Sequence, residues 1–301
     1  MELPIPDMEA VYGIRPRSII KSKYFYIMTA NDGIYRLYPM LCGSAQCGVL
    51  ACLNEGLCAD GTAVCPIVKT LGGESFAELD EQLFMLTRVP AGRAPDINNS
   101  ADVLKSAALL GRFHRGLRRF PAECDADISV PYKKGLAALK NMKSIINRKN
   151  KRSETDKLFL ENYAAVLALA ENAVDTLDGC GLGCTYAYGT PKEENFIINR
   201  DGATLTNWNC PTVSHFLNDV SYFLKRYFKK AERPLLTKDD IMAAYTAQNP
   251  LDDAEERALE SVLRYPEKYI FVFKEFYGRH RPFAPLYVRE KIDRELAALG
   301  L

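Results

Sequence analysis

A run of proline and glycine, Val89-Pro90-Ala91-Gly92-Arg93-Ala94-Pro95, divides the chain into two textures that no single repeating architecture accommodates. Before it lie β-prone segments. Tyr24–Met28 is aromatic, Asn31-Asp32-Gly33 supplies turn residues and Ile34–Tyr38 follows, which together predict a hairpin. Val64–Val68 and Glu81–Thr87 are expected to complete an antiparallel sheet. The spacing of Val49, Leu50, Leu53 and Leu57 predicts a helix from Ser44 to Leu57, stopped at Asp60-Gly61. After the break, helical periodicity takes over. Helices are predicted over Ala101–Arg119, Thr155–Leu177, Val213–Lys230, Lys238–Gln248, Ala254–Tyr265 and Pro285–Leu299. Short strands are expected around a loop within 184–201 and 203–208. The implied class is α+β and two-lobed: a small β-rich lobe over 1–88, a hinge over 89–99 and a helical lobe over 100–301.

Composition narrows the function. Across 301 residues, 39 Lys and Arg stand against 38 Asp and Glu, a formal charge of +1. That balance argues against a protein whose main task is holding nucleic acid or an anionic membrane. No window approaches eighteen apolar residues, so no membrane span is expected. Met1–Asp7 lacks the basic-then-apolar pattern of a signal peptide, so synthesis in the cytosol is expected.

Nine cysteines are many for a reduced compartment. Cys42, Cys47, Cys52, Cys58 and Cys65 crowd the first lobe, and Cys180 and Cys184 have three residues between them. None of these forms a C-x-x-C pair, so buried thiols are expected and no metal site. In an oxidising shell, such thiols could also join neighbouring molecules through disulfides.

The chemistry concentrates in Tyr188-Gly189-Thr190-Pro191-Lys192-Glu193-Glu194-Asn195, followed by Leu205-Thr206-Asn207-Trp208-Asn209. This arrangement resembles the catalytic loop of aminoglycoside- and choline-kinase-like enzymes. There, a histidine-glycine-aspartate loop is followed by an asparagine five residues on and by a second aspartate after a strand. In that chemistry the first aspartate takes the substrate hydroxyl's proton, and the asparagine and second aspartate hold magnesium on the nucleotide phosphates. Nearly the whole chain resembles the CotS spore-coat branch of this fold. The likeness runs through 87–99, Ala107–Phe120, Phe196–Asn199, Asn218–Arg226 and Tyr265–Tyr269.

The resemblance also exposes departures. Asn195 matches the metal asparagine, but Thr190 stands at the catalytic aspartate and Asn207 at the metal aspartate. Tyr38 aligns with the phosphate-pairing lysine, and no G-x-G-x-x-G loop precedes it. Arg36 is the nearest cation, and its side chain is expected on the opposite face of the pleat from Tyr38. Without base, metal carboxylate and lysine, the resemblance implies a pseudokinase: a binding scaffold with no cofactor. Its expected partners are other spore-coat proteins, and its expected place the coat of a spore-forming bacterium.

The alternative is a phosphotransferase using ATP and magnesium through Asn195, Asn209 and a glutamate (Glu194), with Asp201 a further candidate. A third reading has nucleotide bound without turnover. Cleft candidates are Tyr38, Asn195, Asn207, Trp208 and Asn209, with Trp208 expected to fill the inter-lobe cleft.

Asp219 is expected to brace the Tyr188-Gly189 loop rather than to catalyse. Glu193 and Glu194 are expected to be solvated, and His114 to pack between helices. His215 and His280 have no triad partner at a suggestive spacing. The basic runs Lys140–Arg152 and Lys225–Lys230 are expected to be solvated surfaces, suited to acidic protein partners more than to nucleic acid.

Overall fold

Strand formation in the first ninety residues follows the alternation of side chains between core and surface. In the computed structural model, which describes residues 7–122, 124, 127–200, 202–279, 289–294 and 297, a short helix α1 (Met8–Tyr12) precedes β1 (Ser18–Lys21), β2 (Tyr26–Ala30) and β3 (Gly33–Pro39). Helix α2 (Ser44–Ala59) follows, then β4 (Ala77–Leu79) and β5 (Gln82–Val89). The sheet order is β1-β2-β3-β5-β4, antiparallel at every pairing. Met28, Leu37, Phe84 and Leu86 are completely buried on its inner face.

The predicted hairpin forms with a shifted register. Ala30 pairs with Gly33, which leaves Asn31-Asp32 as a two-residue turn and puts Tyr24 and Phe25 in the preceding loop. Val64–Val68 makes only isolated bridges, Val64 to Leu205 and Ile67 to Thr87. Pro66 interrupts it, having no N–H for a ladder. Strand β4 falls outside the predicted strands. It is three residues long and joins β5 through Asp80 and Glu81, both left-handed at φ 50° and 62°.

The second texture is built on α3 (Ser100–Leu117), capped by Asn99 and carrying the fully buried Leu109 and Phe113. Then come α4 (Val130–Asn147), α5 (Glu154–Cys180), β6 (Thr185–Ala187), β7 (Phe196–Asn199), β8 (Gly202–Leu205) and β9 (Thr212–Ser214). The chain continues through α6 (Leu217–Lys230), α7 (Lys238–Thr246), α8 (Asp253–Arg264) and α9 (Glu267–Arg279). Helix α6 starts later than its periodicity predicts because Val213 pairs with Tyr186 in the β6–β9 ribbon. Helices α4 and α9 were not predicted. The expected helix Pro285–Leu299 lies mostly outside the described residues, of which 289–294 are helical.

The chain forms two compact units, Met1–Ala122 with Thr185–Pro250 and Glu123–Cys184 with Leu251–Leu301. In the first, Gly111 lets α3 and α7 touch, since a Cβ there would lie 2.5 Å from the Tyr245 carbonyl oxygen. The proline-glycine segment is also fixed: Arg93 and Ile198 exchange backbone hydrogen bonds at 3.0 and 2.8 Å, and Arg93 forks onto Asp102. In the second unit, Phe159, Tyr269 and Phe273 fill a core shared by α4, α5 and α9. Among the described residues, no helix is long and apolar enough to cross a membrane.

The expectation of buried thiols needs correction. Only Cys47 and Cys65 are buried, whereas Cys52, Cys124 and Cys210 are exposed. The left-handed turn at Asp80-Glu81 generates a test. Replacing it with Asn-Gly, which tolerates positive φ at both positions, is expected to stabilise the protein by ~0.5–1 kcal/mol and raise Tm by about 1–4 °C. A thermal melt in which the variant unfolds earlier would contradict the turn geometry.

Candidate functional site

The site lies within the first unit, where β3 faces the loop after β8. Arg36 and Tyr38 are two residues apart on β3, an interval that returns a side chain to the same face of the strand. This corrects the expectation that the pleat separates them. Both converge on one atom: Asn207 Oδ1 accepts from Arg36 Nη1 at 2.7 Å and from the Tyr38 hydroxyl at 2.8 Å. Arg36 also donates to Thr206 Oγ1, and its guanidinium lies 4.9 Å from the centre of the Phe25 ring. Phe25 in turn meets the Tyr38 ring at 5.4 Å. Asn207 adopts φ 59°, and its Nδ2 donates to the Glu194 carbonyl at 3.3 Å. Burial pushes the Tyr38 phenol above its ordinary range, with Arg36 offsetting part of the rise. Among the described residues, no carboxylate pairs with Arg36.

Across from β3, the loop Tyr188-Gly189-Thr190 is held from behind by Asp219 on α6. Its Oδ2 accepts the Tyr188 N–H at 2.6 Å and its Oδ1 the Gly189 N–H at 2.8 Å. Asp219 is itself buried and hydrogen-bonded to His114 Nε2 at 3.2 Å. From His114 the chain of contacts continues to Tyr245 (2.9 Å), Asn249 (2.8 Å) and Arg118 (2.9 Å). His114 thus does more than pack between helices. Gly189 needs to be glycine: its φ is 101°, and a Cβ would lie 2.7 Å from Thr212 Oγ1.

Asn195 is buried, and its Oδ1 accepts the Lys192 N–H at 2.8 Å, closing the turn Glu193–Asn195. Its backbone carbonyl accepts the Thr206 N–H at 2.8 Å, which ties the two motif segments together. Tyr38, Thr190, Asn195, Asn207, Trp208 and Asn209 all line one open cleft of about 980 Å³. Lys21, Lys23, Arg36 and Lys192 also line it, against the carboxylate of Glu194. Asp201 and His280 lie outside the described residues.

Trp208 does not fill this cleft. It is 7% exposed and set edge-on to Phe113, with ring centres 4.9 Å apart at 85°, and so forms part of the cleft wall. Tyr38 and Phe25 also line the cleft, and Phe25 was not among the residues expected there.

Glu193 corrects the expectation of two solvated carboxylates. Arg226 Nη2 reaches it at 2.7 Å, Arg226 Nε makes a second bond and Lys230 Nζ a third at 2.5 Å. Two cations of the Lys225–Lys230 run are therefore spent internally. In the Lys140–Arg152 run, Lys140 pairs with Glu171 and Lys149 with Asp156. Burial would raise the Glu193 carboxyl, but Arg226 and Lys230 outweigh it and lower the group to about 2.

A folded-state value below the unfolded one means stability that is present above about 4.5 and lost as pH falls toward 2. Discounted for solvent screening at this half-buried position, the contribution is on the order of 1–2 kcal/mol. Glu193→Gln is expected to lose it at pH 7 and to unfold with a shallower pH dependence below 4.5. Unchanged stability and slope in denaturant titrations would contradict the pairing.

The family described as "Spore coat putative kinase YutH" matches residues 6–297. No curated protein matches the chain. Among solved structures, an aminoglycoside phosphotransferase from Alicyclobacillus acidocaldarius subsp. acidocaldarius DSM 446 superposes with a TM-score of 0.78. The identity is 15%, covering 100% of this chain and 95% of that one. A spectinomycin phosphotransferase, solved with ADP and spectinomycin, gives 0.65 at 12% identity over 95% and 92% of the two chains. A choline/ethanolamine kinase family protein from Mesorhizobium loti gives 0.59 at 13% identity over 98% and 92%. At these identities the likeness establishes the kinase-like α+β fold, with a small antiparallel sheet at the N-terminal end and helices beyond.

Proposed function

The chain belongs to the YutH family of kinase-like spore-coat proteins, and on that premise we propose that it is a non-catalytic member, a pseudokinase acting as a binding scaffold in the coat of a spore-forming bacterium. The observation that carries this reading is the occupancy of Asn207. In kinase-like enzymes the corresponding aspartate holds magnesium on the nucleotide phosphates. Here the oxygen belongs to a neutral amide and already accepts from Arg36 and Tyr38. A divalent cation would have to displace a guanidinium and then bind a poorer donor than a carboxylate.

Neighbouring positions support the same reading. Asn195 Oδ1 is committed to the Lys192 N–H. Thr190 offers a hydroxyl, which cannot act as a general base near neutral pH. The donor set therefore does not fit a magnesium–nucleotide complex. In this reading the cleft is a docking surface for other coat proteins, with neither nucleic acid nor membrane as partner.

One observation favours the second reading, a phosphotransferase with a non-standard site or a nucleotide-binding protein without turnover. The cleft is open, and Lys21, Lys23, Arg36 and Lys192 give it a positive lining suited to phosphates.

Thermal melts with ATP and GTP, each with and without magnesium, separate these readings. Ligand at a hundred times its Kd adds about 2.7 kcal/mol, or roughly 5–10 °C in a chain of this size. The scaffold reading predicts no shift at millimolar nucleotide. A magnesium-dependent shift would support the phosphotransferase, and a magnesium-independent one nucleotide as a structural ligand.

A further inference from the structure

The geometry points to a covalent site in the second unit: Cys124 and Cys184 join as an intramolecular disulfide when the protein meets a peroxide. Their sulfurs are 3.2 Å apart, so roughly 1.2 Å of closure reaches the S–S bond length of about 2.05 Å. Paired backbone lies near both residues in the chain, from Asp127 on one side and up to Gly183 on the other. Asp127 and Gly183 form an antiparallel bridge, and the Ile128 N–H donates to the Leu182 carbonyl at 2.9 Å. Asp127 is further fixed by accepting from the Ser129 N–H at 2.8 Å and the Ser129 hydroxyl at 2.5 Å. Hydrogen-bonded backbone thus begins three residues after Cys124 and ends immediately before Cys184.

Accessibility assigns the order of events. Cys124 is exposed and Cys184 half-buried. Burial and the neighbouring Cys124 push the Cys184 thiol up to about 11, which keeps its proton in place at neutral pH. Cys124 is then the sulfur that meets the oxidant. Its thiolate attacks one peroxide oxygen, the O–O bond breaks, and water and a sulfenic acid result. The Cys184 sulfur attacks the Cys124 sulfur, the S–S bond forms, and the sulfenic hydroxyl leaves as water with the Cys184 proton. Two thiols and one hydrogen peroxide give one disulfide and two waters.

A second pair, Cys42 and Cys47, is wider at 3.6 Å, and Cys47 is 1% exposed. Oxidant reaches that pair less readily. The Cys124–Cys184 bond would close a loop containing all of α4 and α5, long enough for a large loss of unfolded-state entropy. The inference is independent of whether the cleft takes a nucleotide.

The test treats reduced full-length protein with hydrogen peroxide, caps the remaining thiols with N-ethylmaleimide and maps the digest by mass spectrometry. The expected product is a cross-linked peptide pair containing Cys124 and Cys184, two hydrogens lighter than the sum. Tm is expected to rise by roughly 5–10 °C and to fall back in dithiothreitol. In Cys184→Ala the cross-link and the shift disappear, and dimedone labels Cys124 as the trapped sulfenic acid. Cys124→Ser provides a second variant, altered at an exposed position, that must also lose cross-link and shift. The proposal is overturned if peroxide oxidises the exposed Cys52 while Cys124 and Cys184 both remain open to N-ethylmaleimide. It is equally overturned if cross-links form only among Cys42, Cys47 and Cys210, or if Cys124→Ser keeps the full shift.

Discussion

A single carbonyl oxygen, Asn207 Oδ1, receives both a guanidinium and a phenol from β3, and the character of the cleft depends on that junction. Were residue 207 a carboxylate, the contact would be an ion pair with local charge near zero. With an amide, the charge of Arg36 has no counter-charge among its hydrogen-bond partners, and the field around Asn207 is positive. That field opposes a divalent cation at short range, where even a well-screened interaction between unit charges amounts to ~1–4 kcal/mol. The surroundings hold the junction in place. The two-residue interval on β3 presents both donors, the left-handed backbone at Asn207 turns its amide toward them, and Phe25 covers the guanidinium.

Across the cleft from this junction, the loop Tyr188-Gly189-Thr190 is held from behind. Asp219 satisfies two consecutive backbone N–H groups and leans on His114, whose other nitrogen bonds to Tyr245. Buried polar chains of this kind are costly when partly satisfied and rigidifying when complete. The loop holds its shape by means that do not involve residue 190. The residue at 190 can therefore vary without loss of the loop's support.

The parts of the fold legible in the sequence were those with long, regular signals. Helices α3 and α5 carry apolar residues at three- and four-residue spacing and were placed within a few residues of their ends. Helix α4 was missed because it buries only Leu139, Met142 and Ile146 among many lysines and contains Gly135. That glycine serves packing, since a Cβ there would strike the Tyr265 hydroxyl. Strand β4 was hidden by its brevity and by a turn that uses Asp-Glu where Asn-Gly would announce itself.

At the site, the positions came from motif order, and the structure gathers all five cleft candidates, together with Thr190, around one opening. The contacts came from three-dimensional approach and had no local signature. Arg36 could have been found from its even offset to Tyr38. The link from Glu193 to Arg226 spans 33 residues, and its pattern in the sequence is only that of scattered charge.

The most direct measurement is a titration of Mn²⁺, which shares the oxygen-ligand preferences of Mg²⁺, followed by electron paramagnetic resonance with and without ATP. If Arg36 holds Asn207 against divalent cations, the wild-type protein will leave the amplitude of the free Mn²⁺ signal unchanged, and the Mn²⁺–ATP signal likewise, at concentrations up to hundreds of micromolar. A saturable loss of either signal, abolished by Asn207→Ala, would place a metal on that side chain and contradict the account.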